Sequence, residues 1–570
     1  MRTKIILLRF TLMTFIGIAP LSAQIPTFTW VKHTVGAERG RINSNAITSD
    51  ADGNVYTIGR FSDTIDFGLG DVKAELTSAG QDDIFIQKLD RDGNFLWVKQ
   101  MGSTGFDEGT SITIDKIGNL ISTGYFVGTV DFDPGVGAAT LTSAGKSDVF
   151  ILKLDPNGNF IWVKQMGGPK SEECNAVTTD DAGNIYATGS FSTTAHFDPG
   201  SGIANLTAVG EEDVFVLKLD PEGHFIWAKQ MGGTDDDEGF SIAVDTKGNV
   251  FTGGYFRDTA DFDPGTATHL LTSEGRRDIF IQKLDSDGNF LWAHRFGSLE
   301  RDSAEAISVD SDDNVILTGS FNGSVDFDPG TETLILEAEG YYNTFIQKIT
   351  NDGDLLWAKK IGGPGNNYGR SITVDSNRDV YTFGLFTSTA DFDPGAGTSY
   401  LTSARAFDMY IQKLDRNGNF LWVAQIGGMG DGRASSIAID ASANLYTTGS
   451  FRGDLDFDPS TGNHTIDGGE LSDLFVQKFG QPQLNILENS LSETFVIHPN
   501  PTKGAFAVEF KSVQKAMKAR VFSVTGKMLM EKEFRNTKYL ELQLEHAAGI
   551  YLLELTNSQN QKATVRILRH

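Results

Sequence analysis

Five stretches of this 570-residue chain place two carboxylates two positions apart: Asp131-Phe132-Asp133, Asp261-Phe262-Asp263, Asp326-Phe327-Asp328, Asp391-Phe392-Asp393 and Asp456-Phe457-Asp458. On an extended strand, side chains two apart point the same way, so each pair offers its oxygens to one side. Oxygen-rich loops of this kind suit Ca²⁺. A competing reading needs no ion: the first Asp caps a turn, Phe packs inward, and the following Pro-Gly reverses the chain. No Glu recurs at the distance that would complete a calcium loop, and the residues leave both readings open. Asp66-Phe67-Gly68 and His196-Phe197-Asp198 are degenerate copies.

Other chemistry is thin. Asp90-Arg91-Asp92-Gly93-Asn94 begins like a calcium loop, but its Gly comes too early, so it reads as a hairpin turn. The same stretch misses the spacing of a sialidase-type Asp-box, and its Ser is absent. Cys174 is the one thiol and reads as a small buried side chain. No phosphate loop, zinc spacing or nucleophile elbow occurs. Asp107-Glu108, Glu172-Glu173 and Asp235-Asp236-Asp237-Glu238 predict a solvated acidic rim that favours cations or a basic partner. His196, Arg276-Arg277 and Tyr341-Tyr342 interrupt an otherwise regular pattern and read as drift.

That pattern is a repeat. Trp97, Trp162, Trp227, Trp292, Trp357 and Trp422 are spaced by 65 residues, and Trp30 completes the set of seven. Phe85, Phe150, Phe215, Phe280, Phe345, Tyr410 and Phe475 keep the same period. Within one unit, Ser111–Asp115, Asn119–Phe126, Asp148–Leu154 and Phe160–Lys164 read as four short strands separated by Asp/Asn/Gly turns. Four antiparallel strands per unit and seven units predict an all-β, seven-bladed β-propeller. The seventh copy lacks its fourth strand, with Leu487 where Trp is expected, while Phe28-Thr29-Trp30-Val31-Lys32 is a fourth strand with no preceding three. The N-terminal strand is therefore expected to close the ring as a clasp, removing free sheet edges. Short turns then share one face and long connections the other, which makes the long-connection face the candidate functional face.

The ends differ from the body. Residues 1–23 read as a signal peptide cleaved between Ala23 and Gln24. The tail from 494 to 570 has 12 Lys/Arg against 6 Glu. Setting aside its +6 and the +3 of the first 23 residues, the total of −27 leaves −36 on residues 24–493. Such an acidic body argues against nucleic acid as a partner, and no apolar run is long enough to span a membrane in the mature chain. Residues 24–480 form the repeat body, 481–493 a linker, and 494–570 a small C-terminal β-sandwich.

Two resemblances follow from these motifs. The units I-x-V-D-x-x-G-N-V-Y-x-T-G and D-x-F-I-x-K-L-D-x-x-G-N-F-L-W resemble the bacterial seven-bladed β-propeller repeat, which implies a fold and no single activity. The tail, with His498-Pro499-Asn500-Pro501-Thr502-Lys503-Gly504, Val521 to Lys527 and Ala548 to Leu555, resembles the C-terminal sorting domain, type A, of type IX secretion substrates. That resemblance implies handling by the type IX machinery and a secreted or outer-membrane surface-attached product. The resulting expectation is a non-catalytic binding or adhesion module for an extracellular protein or glycan. Its rivals are a polysaccharide-degrading hydrolase or lyase and a purely structural surface scaffold.

Overall fold

The computed structural model describes residues 25–36, 40–460, 462–480, 495–500, 502–523, 528–545, 549–558 and 562–569. The expected signal segment, with Ala23 and Gln24, and the linker 481–493 lie outside them. Contacts divide the chain into two compact units, one being Ile25–Gln481 and the other containing Pro482–His570. Every regular element among the described residues is a strand, and no helix there is long and apolar enough to cross a membrane.

Each 65-residue unit folds as its local patterning dictates. In the second repeat, Glu108–Ile114, Leu120–Phe126, Asp148–Leu154 and Phe160–Met166 lie side by side as an antiparallel sheet. Two identical turn designs join them. Asp115 Oδ1 accepts the N–H groups of Ile117 and Asn119, and Asn119 Nδ2 returns to Asp115 Oδ2 at 2.9 Å. Asp155 and Asn159 repeat this geometry. Gly118 and Gly158 supply the positive φ that both turns need (91° and 75°). The third strand, Asp148–Leu154, is buried along its whole length, because neighbouring sheets cover both its faces.

The long connection differs from the plain loop expected of it. It holds a small hairpin, Thr129–Asp131 against Thr140–Thr142, with the two Thr hydroxyls 2.9 Å apart. Strands of three residues are too short for alternation to reveal them. At the hairpin's end Phe132 is fully buried between Phe126 and Phe150, with ring centroids 5.2 and 5.0 Å away.

Neighbouring sheets are joined by the same bonds each time. Lys88, Lys153, Lys218, Lys283 and Lys348 each donate to a carbonyl 68 residues onward, in the third-to-fourth-strand turn of the next repeat. Trp227, Trp292 and Trp357 send their indole N–H to that same turn. Thr27–Thr34 pairs antiparallel with Asp473–Gly480, the third strand of the last sheet, in the place the Trp strands occupy elsewhere. Trp30 Nε1 and Lys478 Nζ both donate to the carbonyl of Arg91, in the first repeat.

The C-terminal unit is one five-stranded sheet. Ala505–Ser523 is central and pairs with Phe495–His498, Met528–Gln543 and Gly549–Asn557, and Lys562–Arg569 flanks the last of these. The long central pair is irregular between Glu509 and Gln514. Phe506 and Val508 before that break share one apolar cluster with Val521 and Leu553 beyond it. In place of the two layers expected of a sandwich there is a single sheet with one apolar cluster.

Candidate functional site

The carboxylate pairs turn toward their own backbone. Asp131 Oδ1 accepts the N–H groups of Asp133 and Ala139 at 3.1 and 2.8 Å, and Asp133 Oδ1 accepts that of Gly135 at 2.8 Å. Asp261 and Asp263, Asp326 and Asp328, and Asp391 and Asp393 do the same. Asp456 and Asp458 complete the series, with Ser460 in place of the Gly. One oxygen of each Asp is thereby used to shape the connection. Among the described residues, the one group of three carboxylate or imidazole ligand atoms lying within 4.8 Å of one another is elsewhere, Asp220, Glu222 and His224 on a short turn.

The acidic runs are not a solvated rim. Asp107, Glu172 and Asp237 are 0–1% exposed. Asp107 accepts the N–H groups of Ser103 and Val127, and Asp237 those of Gly233 and Arg257, so each staples one connection to the next. Burial pushes Asp107 up to about 6 and Glu172 and Asp237 up to about 7, against those hydrogen bonds. Loop N–H groups cut off from water need an acceptor, and Asp107, Glu172 and Asp237, each followed directly by a Glu, supply it. Of the Glu residues that follow them, Glu108 and Glu238 have other partners.

Glu108, Glu173 and Glu238 lie at the start of the first strand of three successive repeats. Glu108 accepts hydrogen bonds from Asn45 (2.8 Å) and Tyr125 (2.7 Å) and an ion pair from Arg60 (3.2 Å). Glu238 receives Asn175 and Tyr255. The guanidiniums of Arg60 and Arg277 lie over Phe106 and Tyr255, at 4.7 and 3.9 Å from the ring centroids. Glu173 sits between these two matched groups. Burial, then Glu238, Glu212 and Glu108, push its carboxyl up to about 7.

The innermost strands of the other repeats carry different chemistry at the same register. A cavity of about 630 Å³ is framed by Arg60, Glu305, Tyr368, Arg370, Phe407 and Arg433, contributed by the first, fifth, sixth and seventh repeats. Tyr368 lies between Tyr342 and Phe407, with centroids 5.5 and 6.0 Å away. Arg370 stacks on Tyr368 at 5.2 Å and pairs with Glu305 at 3.1 Å. All of these residues sit where the long connections enter or leave the strands, on the face that sequence reasoning selected. Their identities were missed because they do not repeat. Positions 82, 147, 212, 277, 342, 407 and 472 hold Asp, Ser, Glu, Arg, Tyr, Phe and Ser beside the nearly constant Asp that follows them. A position that varies in charge within a strict frame was the available signal.

Cys174 belongs to the frame. It is fully buried at a register position occupied elsewhere by Gly, Ala or Ser, and burial pushes its thiol up to about 12.

The described residues form an all-β repeat protein, and residues 161–197 and 226–255 match the β-propeller repeat family. Residues 496–568 match the secretion system C-terminal sorting domain. The chain therefore carries a type IX sorting tail, which places the protein outside the cell or on its outer surface and implies contact with the secretion machinery. An uncharacterized WD repeat-containing protein of Acanthamoeba polyphaga mimivirus is 25% identical over 503 residues, covering 73% of this chain and 36% of that protein. The regulatory protein FlaEY of Caulobacter vibrioides is 25% identical over 227 residues, covering 39% of this chain and 23% of its own. The chain thus spans about a third or less of these curated relatives. A crystal structure of a Dyadobacter fermentans protein of unknown function aligns over 79% of this chain and 98% of its own, with 8% identity and a TM-score of 0.33. Dimeric latent PorU from Porphyromonas gingivalis aligns over 73% of this chain and 36% of its own, with 9% identity and a TM-score of 0.12. Neither score bears on the fold.

Proposed function

We propose that the body is a closed seven-bladed β-propeller, clasped by Thr27–Thr34, that acts as a non-catalytic binding or adhesion module for an extracellular protein or glycan. The observation carrying the reading is the gathering of unrepeated side chains at one mouth of a repetitive frame. Tyr342, Tyr368 and Phe407 form a row of neighbouring rings, and Arg370, held by Glu305, and the exposed Arg433 offer donors beside them. A scaffold with no ligand would have no physical need for such differences between equivalent positions. A glycan array and a pull-down with the full chain test it. Tyr368→Ala and Arg370→Ala are expected to lower ligand retention about tenfold or more. Retention unchanged in both would remove the mouth as the binding site.

One observation favours a second reading, a polysaccharide-cleaving enzyme. A Glu173 that holds its proton near neutral pH, beside Glu212 and Glu238, is the kind of pairing glycoside cleavage uses. Release of reducing ends from a polysaccharide by the wild type and not by Glu173→Gln would establish it.

A further inference from the structure

A second cleft on the long-connection face, where the fourth and fifth repeats meet, encloses about 500 Å³. Arg257, Arg276 and Arg301 line it together with Asp235, Asp258 and Ser273. In a body of charge −36, arginines are expected to find carboxylates, and Arg257 does, at 2.6 Å from Asp236 and 3.4 Å from Asp235. Arg276 and Arg301 are exposed and form no ion pair within the described residues.

Three neighbouring acids are already engaged. Glu274 and Asp278 share Arg295, at 2.8 and 2.6 Å. Asp302 is buried and accepts the N–H groups of Ser298 and Asn322. The backbone sets the two residues close together: Arg277 and Arg301 are bridged, Asp302 N donates to Arg277 O at 2.9 Å, and Arg276 N to Glu300 O at 3.0 Å. The frame does not demand arginine there. The matching positions are Glu211 and Asp236 in the preceding repeat and Tyr341 and Asn366 in the following one.

We propose that this cleft binds an acidic saccharide, its carboxylate or sulfate held by Arg276 and Arg301 and its hydroxyls by Asp258 and Ser273. Guanidinium forks match planar or tetrahedral oxyanions, and the adjoining carboxylate and hydroxyl suit sugar hydroxyls that a bare anion lacks. The site uses none of the residues of the mouth, so it stands apart from the reading of that mouth.

Calorimetric titration of the full chain with four probes tests the proposal: a galacturonate tetrasaccharide, a sulfated galactose tetrasaccharide, the neutral galactose tetrasaccharide and sodium sulfate. Saturable binding is expected for at least one acidic saccharide, at least about tenfold tighter than for the neutral one and weakening as salt is raised. The double variant Arg276→Ala/Arg301→Ala is expected to lose about tenfold or more, and Arg276→Lys less. Absence of binding by both acidic saccharides would overturn the proposal. So would equal binding of the neutral one, sodium sulfate matching the saccharides, or an unchanged double variant.

Discussion

Thr448 Oγ1 donates to Ser44 Oγ at 2.8 Å, joining side chains 404 residues apart in the chain. Tyr446 of the same late strand reaches the carbonyl of Gly53 at 3.3 Å, and Trp30, Ile47, Val55, Tyr446 and Val476 share one apolar cluster. Trp30 is 9% exposed and belongs to both the pairing and the cluster. Trp30→Ala is therefore expected to cost about 3 kcal/mol or more in chemical denaturation, as large-to-small changes at buried aromatics do. A change below about 0.5 kcal/mol would mean that the N-terminal strand does not hold the body together.

Glu173 is expected to titrate near pH 7, followed by carbon NMR of its side-chain carboxyl in the full chain. Removing a neighbouring negative charge favours ionisation, so Glu238→Gln and Glu108→Gln each lower that midpoint. A midpoint in the ordinary glutamate range would show that the mouth is wetter than its geometry implies.

Stability should fall as the pH rises from about 4 to about 7. Asp107, Asp302 and Asp473 are pushed up to about 6, and Glu172 and Asp237 to about 7, in each case chiefly by burial. Their folded pKa lies above the unfolded one, so the native state binds more protons across this window and loses stability as they leave. Asp90, Asp115 and Asp155 are held low by turn hydrogen bonds, and their contribution disappears only below about pH 4. Thermal melts should therefore give a higher Tm at pH 5 than at pH 8. Asp237→Asn should narrow that gap, because the sixth repeat already uses Asn367 at this position.

The repeated Asp-Phe-Asp connections provide a metal test. Asp131→Ala removes the acceptor of two backbone N–H groups and is expected to cost about 1–2 kcal/mol. With those oxygens serving the backbone, Tm is expected to stay within about 1 °C when a chelator is added. A drop of several degrees, restored by Ca²⁺, would instead establish a structural ion.

Cys174 should resist thiol reagents in the native protein and react only on unfolding, since its thiol is fully buried and held at about 12. Cys174→Ala should cost no more than about 1 kcal/mol, because Ala304 and Ala434 fill the matching positions. Rapid labelling of the folded chain would contradict this packing.

The sequence by itself determined what is local and repeated. Alternation marks the four strands, Asp-x-x-Gly-Asn marks both tight turns, and the 65-residue spacing of Trp and Phe marks the units, because each rests on contacts within a few residues or on a position recurring every period. The orphan strand around Trp30 was legible for the same reason, as a fragment missing from one end and present at the other. Only the tertiary structure decided which acids are buried. Asp107 and Glu108 are neighbours of equal polarity in the sequence, yet one staples loop N–H groups inside the protein and the other faces the mouth. It also turned Arg276 and Tyr342 from apparent drift, and Glu173 from one acid of an expected rim, into members of specific side-chain groups, because register in a folded sheet brings together positions that lie far apart in the chain.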